Sequence, residues 1–222
     1  MDEQLKHYLE QTLPTQQEWV LQLEEQAIRN QIPIMDSVGI NFLMQLIRIK
    51  EPKRILEIGT AIGYSALRMN EAYPEADITT IERDEPRYKQ ALENIRIQEK
   101  QEKIHVIFDD ALIAMEKLIE TGEQFNFIFI DAAKGQYKRF FELANQLLAD
   151  SGLIITDNVL FRGYVASSDT DNIPKRYRKM VEKLRDYNTF IMNHPNFTSS
   201  IIPIGDGVAV SEYLGGQNVE QR

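Results

Sequence analysis

The sequence predicts an α/β fold: a doubly wound, mostly parallel sheet that ends in an antiparallel hairpin and is preceded by N-terminal helices. Three observations lead there. From Arg54 onward, short apolar runs alternate with amphipathic helical stretches, the pattern of βαβ units whose strands are buried on both faces. The last two runs instead flank Gly205-Asp206-Gly207, a hairpin signal. Before residue 50 the apolar residues follow helical rather than strand spacing.

Each element has its own local reason. Thr15 to Asn30 follows Pro14 and sets Trp19, Leu23 and Ala27 on one helical stripe. Asp36 or Ser37 is suited to cap a second helix, in which Gly39, Phe42, Leu43, Leu46 and Ile47 recur at i, i+3, i+4, i+7 and i+8. The predicted strands are Ile55–Ile58, Ile78–Ile81, Ile104–Phe108, Phe127–Ile130 and Leu153–Ile155. Helical patterns separate them near Tyr64–Tyr73, Pro86–Gln98, Ala111–Thr121 and Gln136–Leu148. A polar loop after Asp157 leads to a helix near Pro174–Tyr187, and Ser199–Ile204 and Val208–Tyr213 form the hairpin. No repeat, low-complexity tract or Pro/Gly/Ser-rich linker interrupts the pattern. The expectation is one domain over 1–222, with a helical extension over 1–50 and the α/β core over 51–214.

Composition narrows the function classes. With 222 residues, 43% hydrophobic and 27% charged, the chain has the make-up of a soluble globular protein. No window approaches the ~18 apolar residues of a membrane span, and the polar start Met1–Lys6 lacks a signal peptide's apolar core. The absence of Cys removes disulfides and thiolate metal sites, so a cytoplasmic location is expected. Only His7, His105 and His194 are present, which leaves oxygen ligands for any metal and favours Mg²⁺, Ca²⁺ or Mn²⁺. A net charge of -9 argues against a large nucleic-acid interface. Two local clusters run against that balance: Arg48, Lys50, Lys53 and Arg54, and the group Lys175, Arg176, Arg178, Lys179, Lys183 and Arg185.

In a doubly wound sheet, ligands bind beyond the carboxyl ends of the strands. The first strand runs into Glu57-Ile58-Gly59-Thr60-Ala61-Ile62-Gly63-Tyr64-Ser65. Gly59 and Gly63 allow a tight turn and close approach to a ligand, and Ser65 opens the following helix. A purely structural turn is the alternative. Glu82 ends the second strand about 20 residues later, in position to accept hydrogen bonds from ribose hydroxyls or, alternatively, to sit solvated. Asp110, after the third strand, is a candidate acceptor for an adenine amino group, or a helix N-cap. Asp131 ends strand four, and Asp157 and Asn158 end strand five. Three hard oxygen ligands suit an octahedral Mg²⁺ that keeps waters or takes substrate oxygens, unless the two acids are unrelated strand-end residues. Lys134 follows within reach of the same pocket, as a candidate base or a surface lysine.

Together Glu57–Ser65, Glu82, Asp110-Ala111, Asp131–Tyr137 and Asp157–Gly163 resemble the cation-dependent class I O-methyltransferases, the group that includes catechol and caffeoyl-CoA O-methyltransferases. The resemblance runs from about Ile34 to Leu214. It implies a Rossmann-like core and S-adenosylmethionine as cofactor. Met35 and the Glu57–Ser65 turn would hold the methionine moiety, Glu82 the ribose, and Asp110 and Ala111 the adenine. Asp131, Asp157 and Asn158 would bind Mg²⁺ or another divalent cation, with Asp131 also near the sulfonium, and Lys134 would take the substrate proton. Two departures stand out: Asp109 replaces a common Gly, and Phe161 a frequent Trp.

The sequence is also similar to bacterial members that methylate 5-hydroxyuridine at the tRNA wobble position. That similarity implies a tRNA anticodon loop as substrate, with Arg48, Lys53, Lys175, Arg176 and Lys179 as candidate RNA contacts. Loops near Phe161–Asn172 and Pro195–Phe197 are candidates to stack on an extruded base. A homodimer is expected by resemblance. Two alternatives remain: methylation of small catechol-like phenols, and a non-catalytic nucleotide-binding module of NAD type. The missing G-x-G-x-x-G counts against the second.

Overall fold

The structure is a computed structural model and describes residues 3–215. The chain divides into two compact units, one running to Ala114 and the other beginning at Met115.

The first unit opens with helices α1 (Glu3–Thr12), α2 (Glu18–Arg29) and α3 (Ser37–Lys50). Strand β1 (Arg54–Ile58), helix α4 (Tyr64–Ala72), strand β2 (Asp77–Glu82), helix α5 (Glu85–Ile97) and strand β3 (Ile104–Phe108) follow. Helix α6 (Ala111–Glu120) runs across the division. Strands β1, β2 and β3 are parallel in spatial order β3-β2-β1, with Ile58 opposite Ile81 and Glu82 opposite Phe108. The carboxyl ends of the three strands therefore lie side by side. Asp36 caps α3, its carboxylate accepting from the amides of Val38 and Gly39 at 3.1 Å each.

Two helical stripes differ from expectation. On α2 the buried residues are Val20, Leu23 and Ala27, and Trp19 is only half-buried. On α3 they are Val38, Gly39, Ile40, Leu43, Met44 and Ile47, while Phe42 and Leu46 stay half-buried. Both helices carry apolar residues at adjacent positions, and periodicity alone cannot choose between two overlapping stripes. Helix α1 was not expected, because its exposed Leu5 and Tyr8 sit among polar residues that blur the pattern.

The second unit holds strand β4 (Phe125–Ile130), helix α7 (Tyr137–Leu147), strand β5 (Leu148–Thr156), helix α8 (Lys175–Met192) and strands β6 (Phe197–Ile202) and β7 (Val208–Tyr213). Short 3-10 turns occupy Lys134–Gln136, Tyr164–Ala166 and Thr170–Asn172. Strands β4 and β5 are parallel, β5 and β7 antiparallel, and β7 and β6 antiparallel. Seven strands, parallel but for the C-terminal pair, make this the α/β fold the apolar runs predict. Strand β5 begins five residues before Leu153, since Leu148 already pairs with Phe125 across a bulge in which polar Ala149–Gly152 hides the strand pattern. The core of this unit includes an aromatic cluster: Phe141 contacts the rings of Tyr187, Phe190, His194 and Phe197 at 4.9 to 6.1 Å. Phe197 is 5% exposed, which removes it as a base-stacking surface.

Candidate active site

At the carboxyl end of β1, Glu57 is fully buried and could not remain charged there without donors. It has them: Ser65 Oγ donates to one carboxylate oxygen and Thr80 Oγ1 to the other, the latter at 2.5 Å. Thr80 Oγ1 also lies 2.6 Å from Thr60 Oγ1. The buried acid thus ties the first turn of α4 and the strand β2 to the glycine loop. Gly63 is the N-cap of α4 with φ +83°, and a Cβ there would stand 3.6 Å from Ala91.

Glu82, 8% exposed, completes the loop from the β2 side. One carboxylate oxygen accepts the Ala61 amide at 2.9 Å, and the other accepts the amides of Arg83 and Asp84 at 2.9 and 2.8 Å. Three backbone donors fix its direction while leaving acceptor capacity on the oxygen bonded only to Ala61. Asp110 accepts the Leu112 amide at 3.0 Å, the bond of a cap on α6, and forms a 3.3 Å ion pair with Arg83. Asp109 accepts the Asp110 amide at 2.8 Å and is absent from the residues with positive φ, so a side chain replaces the common Gly without backbone strain. Met35 is buried at the start of α3, where its Cε would lie 3.1 Å from a Cβ on Gly39. The first unit therefore gathers Glu57, Gly59, Gly63, Ser65, Glu82, Asp110 and Ala111 along one set of strand ends.

The second unit brings the other group together. Ile130 pairs with Thr156, so Asp131 and Asp157 leave adjacent strands at the same level, and the Asp157 amide donates to the Ile130 carbonyl at 3.0 Å. Asp157 is 4% exposed. Its carboxylate accepts the Asn158 amide at 2.7 Å and Asn158 Nδ2 at 3.0 Å. Asn158 adopts φ +56°, a left-handed conformation that Asn tolerates better than most residues. Lys134 Nζ donates to Asn158 Oδ1 at 2.5 Å. Burial raises the Asp131 carboxyl above its usual range, while the Lys134 charge works in the opposite direction. Burial, then the charges of Asp131 and Asp157, push the Tyr137 phenol well up. Tyr137 thus feels both acids, and it donates to the Asp157 carbonyl at 2.9 Å.

Two carboxylates, of which Asp157 is buried, and a carboxamide, set at adjacent strand ends and offset by one lysine, form a donor set that fits a hard divalent cation. Among the described residues no group of three or more His, Cys, Asp or Glu forms a metal cluster. The third protein oxygen is an amide, so part of the cation's shell is left to water or substrate.

Beyond Asn158 the chain turns through positive φ at Phe161, Arg162 and Gly163. The hairpin tip holds this loop: the Asp206 carbonyl accepts the amides of Leu160 and Phe161 at 2.8 and 3.0 Å, and its carboxylate accepts that of Arg162 at 3.2 Å. Phe161, Tyr164 and Tyr177 form a half-buried ring cluster with centroids 5.2 to 6.2 Å apart. Arg162 lies over Phe161 and Arg176 over Tyr177, at 5.8 and 4.6 Å.

The basic helix α8 is only partly a free charged face. Arg185 donates to the carbonyls of Tyr164, Val165 and Ser167, Arg178 to Ile173 and Asp171, and Lys183 to Gly135. Lys175, Arg176 and Lys179 remain exposed. So do Arg48 and Lys53 in the first unit, whereas Lys50 and Arg54 are engaged in interactions.

The O-methyltransferase family model matches residues 10–213. The chain belongs to the O-methyltransferase family. Caffeoyl-CoA O-methyltransferase of Populus kitakamiensis is 30% identical over 96% of this chain and 94% of its own. The crystal structure of a Staphylococcus aureus protein described as a candidate caffeoyl-CoA O-methyltransferase superimposes with TM-score 0.87 at 37% identity, covering 95% of this chain and 100% of that one. The O-methyltransferase of Bacillus cereus in complex with S-adenosylhomocysteine gives 0.81 at 25% identity, over 95% and 97%.

Within this family member, several supporting residues carried no visible signal in the sequence. Thr60, Thr80 and Tyr137 act on the strand-end residues, and Asp206 on the loop after Asn158, through contacts between distant segments. Thr60 and Tyr137 lie within the Glu57–Ser65 and Asp131–Tyr137 motifs and Asp206 in the hairpin turn, but none of these motifs announces the contact.

Proposed function

We propose that this family member transfers a methyl group from S-adenosylmethionine to a hydroxyl that sits beside a second oxygen on a planar substrate, with a divalent cation, Mg²⁺ first, at Asp131, Asp157 and Asn158. The observation that carries this reading is the joint presence of Asp157, Asn158 and Lys134 in one hydrogen-bonded group beside Asp131. The Bacillus cereus relative's complex with the demethylated cofactor supports the choice of donor.

The chain's own residues divide the work. Glu57, Ser65 and Thr80 hold the glycine turn in shape, and Glu82 directs a carboxylate toward a ribose. The Asp110-Ala111 segment opens α6 where an adenine edge is expected. Lys134, as the neutral amine once its own proton has passed to solvent, is the group that takes the hydroxyl proton as the oxygen–methyl bond forms and the sulfonium–methyl bond breaks. When bound, the cation would orient two substrate oxygens and make the hydroxyl more acidic.

For the substrate we favour 5-hydroxyuridine at the wobble position of tRNA, giving 5-methoxyuridine, whose O5 neighbours the C4 carbonyl. Support comes from the Phe161, Tyr164 and Tyr177 rings flanked by Arg162 and Arg176, with exposed Lys175 and Lys179 nearby in sequence. Aromatic faces suit an extruded base and the cations its phosphates. A second reading, a small catechol-like phenol, is favoured by the activity named for the Populus relative. Purified protein with S-adenosylmethionine and Mg²⁺ should convert 5-hydroxyuridine in tRNA from cells lacking the gene, read by nucleoside mass spectrometry. Methylation of free catechols with unchanged tRNA would select the phenol reading.

A further inference from the structure

Two of the three candidate metal ligands, Asp157 and Asn158, form a hydrogen-bonded chain with Lys134. Both Asp157 carboxylate oxygens accept from Asn158, through its backbone amide at 2.7 Å and its Nδ2 at 3.0 Å. With Nδ2 committed to Asp157, the Asn158 carboxamide has one orientation, and its Oδ1 faces Lys134 Nζ at 2.5 Å. The same lysine carries the charge that acts on Asp131. Lys134 therefore meets the oxygen that a cation would use and lies within electrostatic reach of a second ligand.

We propose that Lys134 is a displaceable internal cation: its Nζ holds the Asn158 carboxamide oxygen, and a divalent ion entering at Asp131, Asp157 and Asn158 expels it. This rests on the reading that those three residues bind a divalent cation. The physical basis is a charge conflict. A lysine head group and a dication compete for one amide oxygen, and like charges a few ångström apart repel. The lysine is the mobile member of the pair, since its flexible stem lets the head group swing away while the Asp157 and Asn158 side chains hold each other.

Isothermal titration with Mn²⁺, on the full chain without cofactor or substrate, tests this on the wild type and on Lys134→Met and Lys134→Arg. The wild type should bind, Lys134→Met should bind at least about tenfold tighter because a competing charge is gone, and Lys134→Arg should not share that gain. Reductive methylation of the wild type, read at Lys134 by peptide mass spectrometry, should increase when Mn²⁺ is added. This second readout decides the matter if Lys134→Met does not fold. Binding by the wild type, with equal affinity in Lys134→Met or unchanged labelling of Lys134, overturns the displacement and leaves the metal reading intact. No Mn²⁺ binding by either the wild type or Lys134→Met overturns both.

Discussion

Thr80→Val removes one hydroxyl and keeps the shape of the side chain, which makes it a clean probe of the buried acid behind the glycine turn. Thr80 is fully buried and its Oγ1 donates to Glu57 at 2.5 Å, while the Glu57 carboxylate is itself inaccessible to water. A hydrogen bond to a charged group contributes about 1.5–3 kcal/mol, and the Thr60 hydroxyl, 2.6 Å away and 1% exposed, loses a partner worth about 1 kcal/mol more. Water cannot enter to replace either bond. The expected loss is therefore about 2–4 kcal/mol, and for a chain of this length each kcal/mol lowers the melting temperature by about 2–4 °C. Differential scanning calorimetry should show a drop of at least about 4 °C. Ser65→Ala is the control: Ser65 bonds to the same carboxylate but is half-exposed, so water replaces part of what is lost and the drop should be smaller. Both substitutions should weaken S-adenosylmethionine binding, because both loosen the turn. A Thr80→Val protein that melts within about 1 °C of wild type would refute the claim that this network holds the loop.

The remaining expectations address the other groups. Glu82→Ala frees the amides of Ala61, Arg83 and Asp84 and removes the proposed ribose acceptor; calorimetry should give roughly 10- to 150-fold weaker cofactor binding, the equivalent of about 1.5–3 kcal/mol. Arg176→Glu with Lys179→Glu should weaken tRNA binding and flatten the slope of log K against log salt by at least about 1.5, and identical slopes would remove that face from the interface. Arg185→Ala removes the guanidinium that bridges three loop carbonyls, so limited proteolysis should cut the 164–167 segment faster than in wild type, with unchanged cutting speaking against the staple.

How much of this was legible beforehand depended on whether the signal was local. The strand ends were, because each apolar run is followed at once by its polar residue: Glu82 after Ile81, Asp131 after Ile130, Asp157 after Thr156. Parallel pairing then sets those ends side by side, as at Ile130 and Thr156. The Asp36 cap was legible for the same reason, since a cap acts on amides two and three residues away. What escaped depends on partners distant in sequence. Thr80 is an ordinary strand residue until it meets Glu57, 23 residues earlier. Arg185 belongs to a run of charges that reads as a solvated face, yet it is spent on a loop 18 to 21 residues away. Tyr137 opens an amphipathic helix, and nothing in that pattern announces that its hydroxyl donates to the Asp157 carbonyl. Phe197 illustrates the reverse error: a ring two residues after Pro195 in a loop-like stretch begins a strand and packs in the core.

No helix among the described residues is long and apolar enough to cross a membrane. A dimer was expected by resemblance, and its partner surface is a matter for solution measurements of mass.

The cation requirement is best measured by methyl transfer from labelled S-adenosylmethionine to tRNA, first in EDTA and then with Mn²⁺ added back, for wild type and Asp157→Ala. Wild-type turnover should vanish in chelator and return with the ion, while the variant stays inactive under both conditions with cofactor affinity within about twofold of wild type. Full turnover in chelator, or an Asp157→Ala protein as active as its parent, would contradict the proposed chemistry.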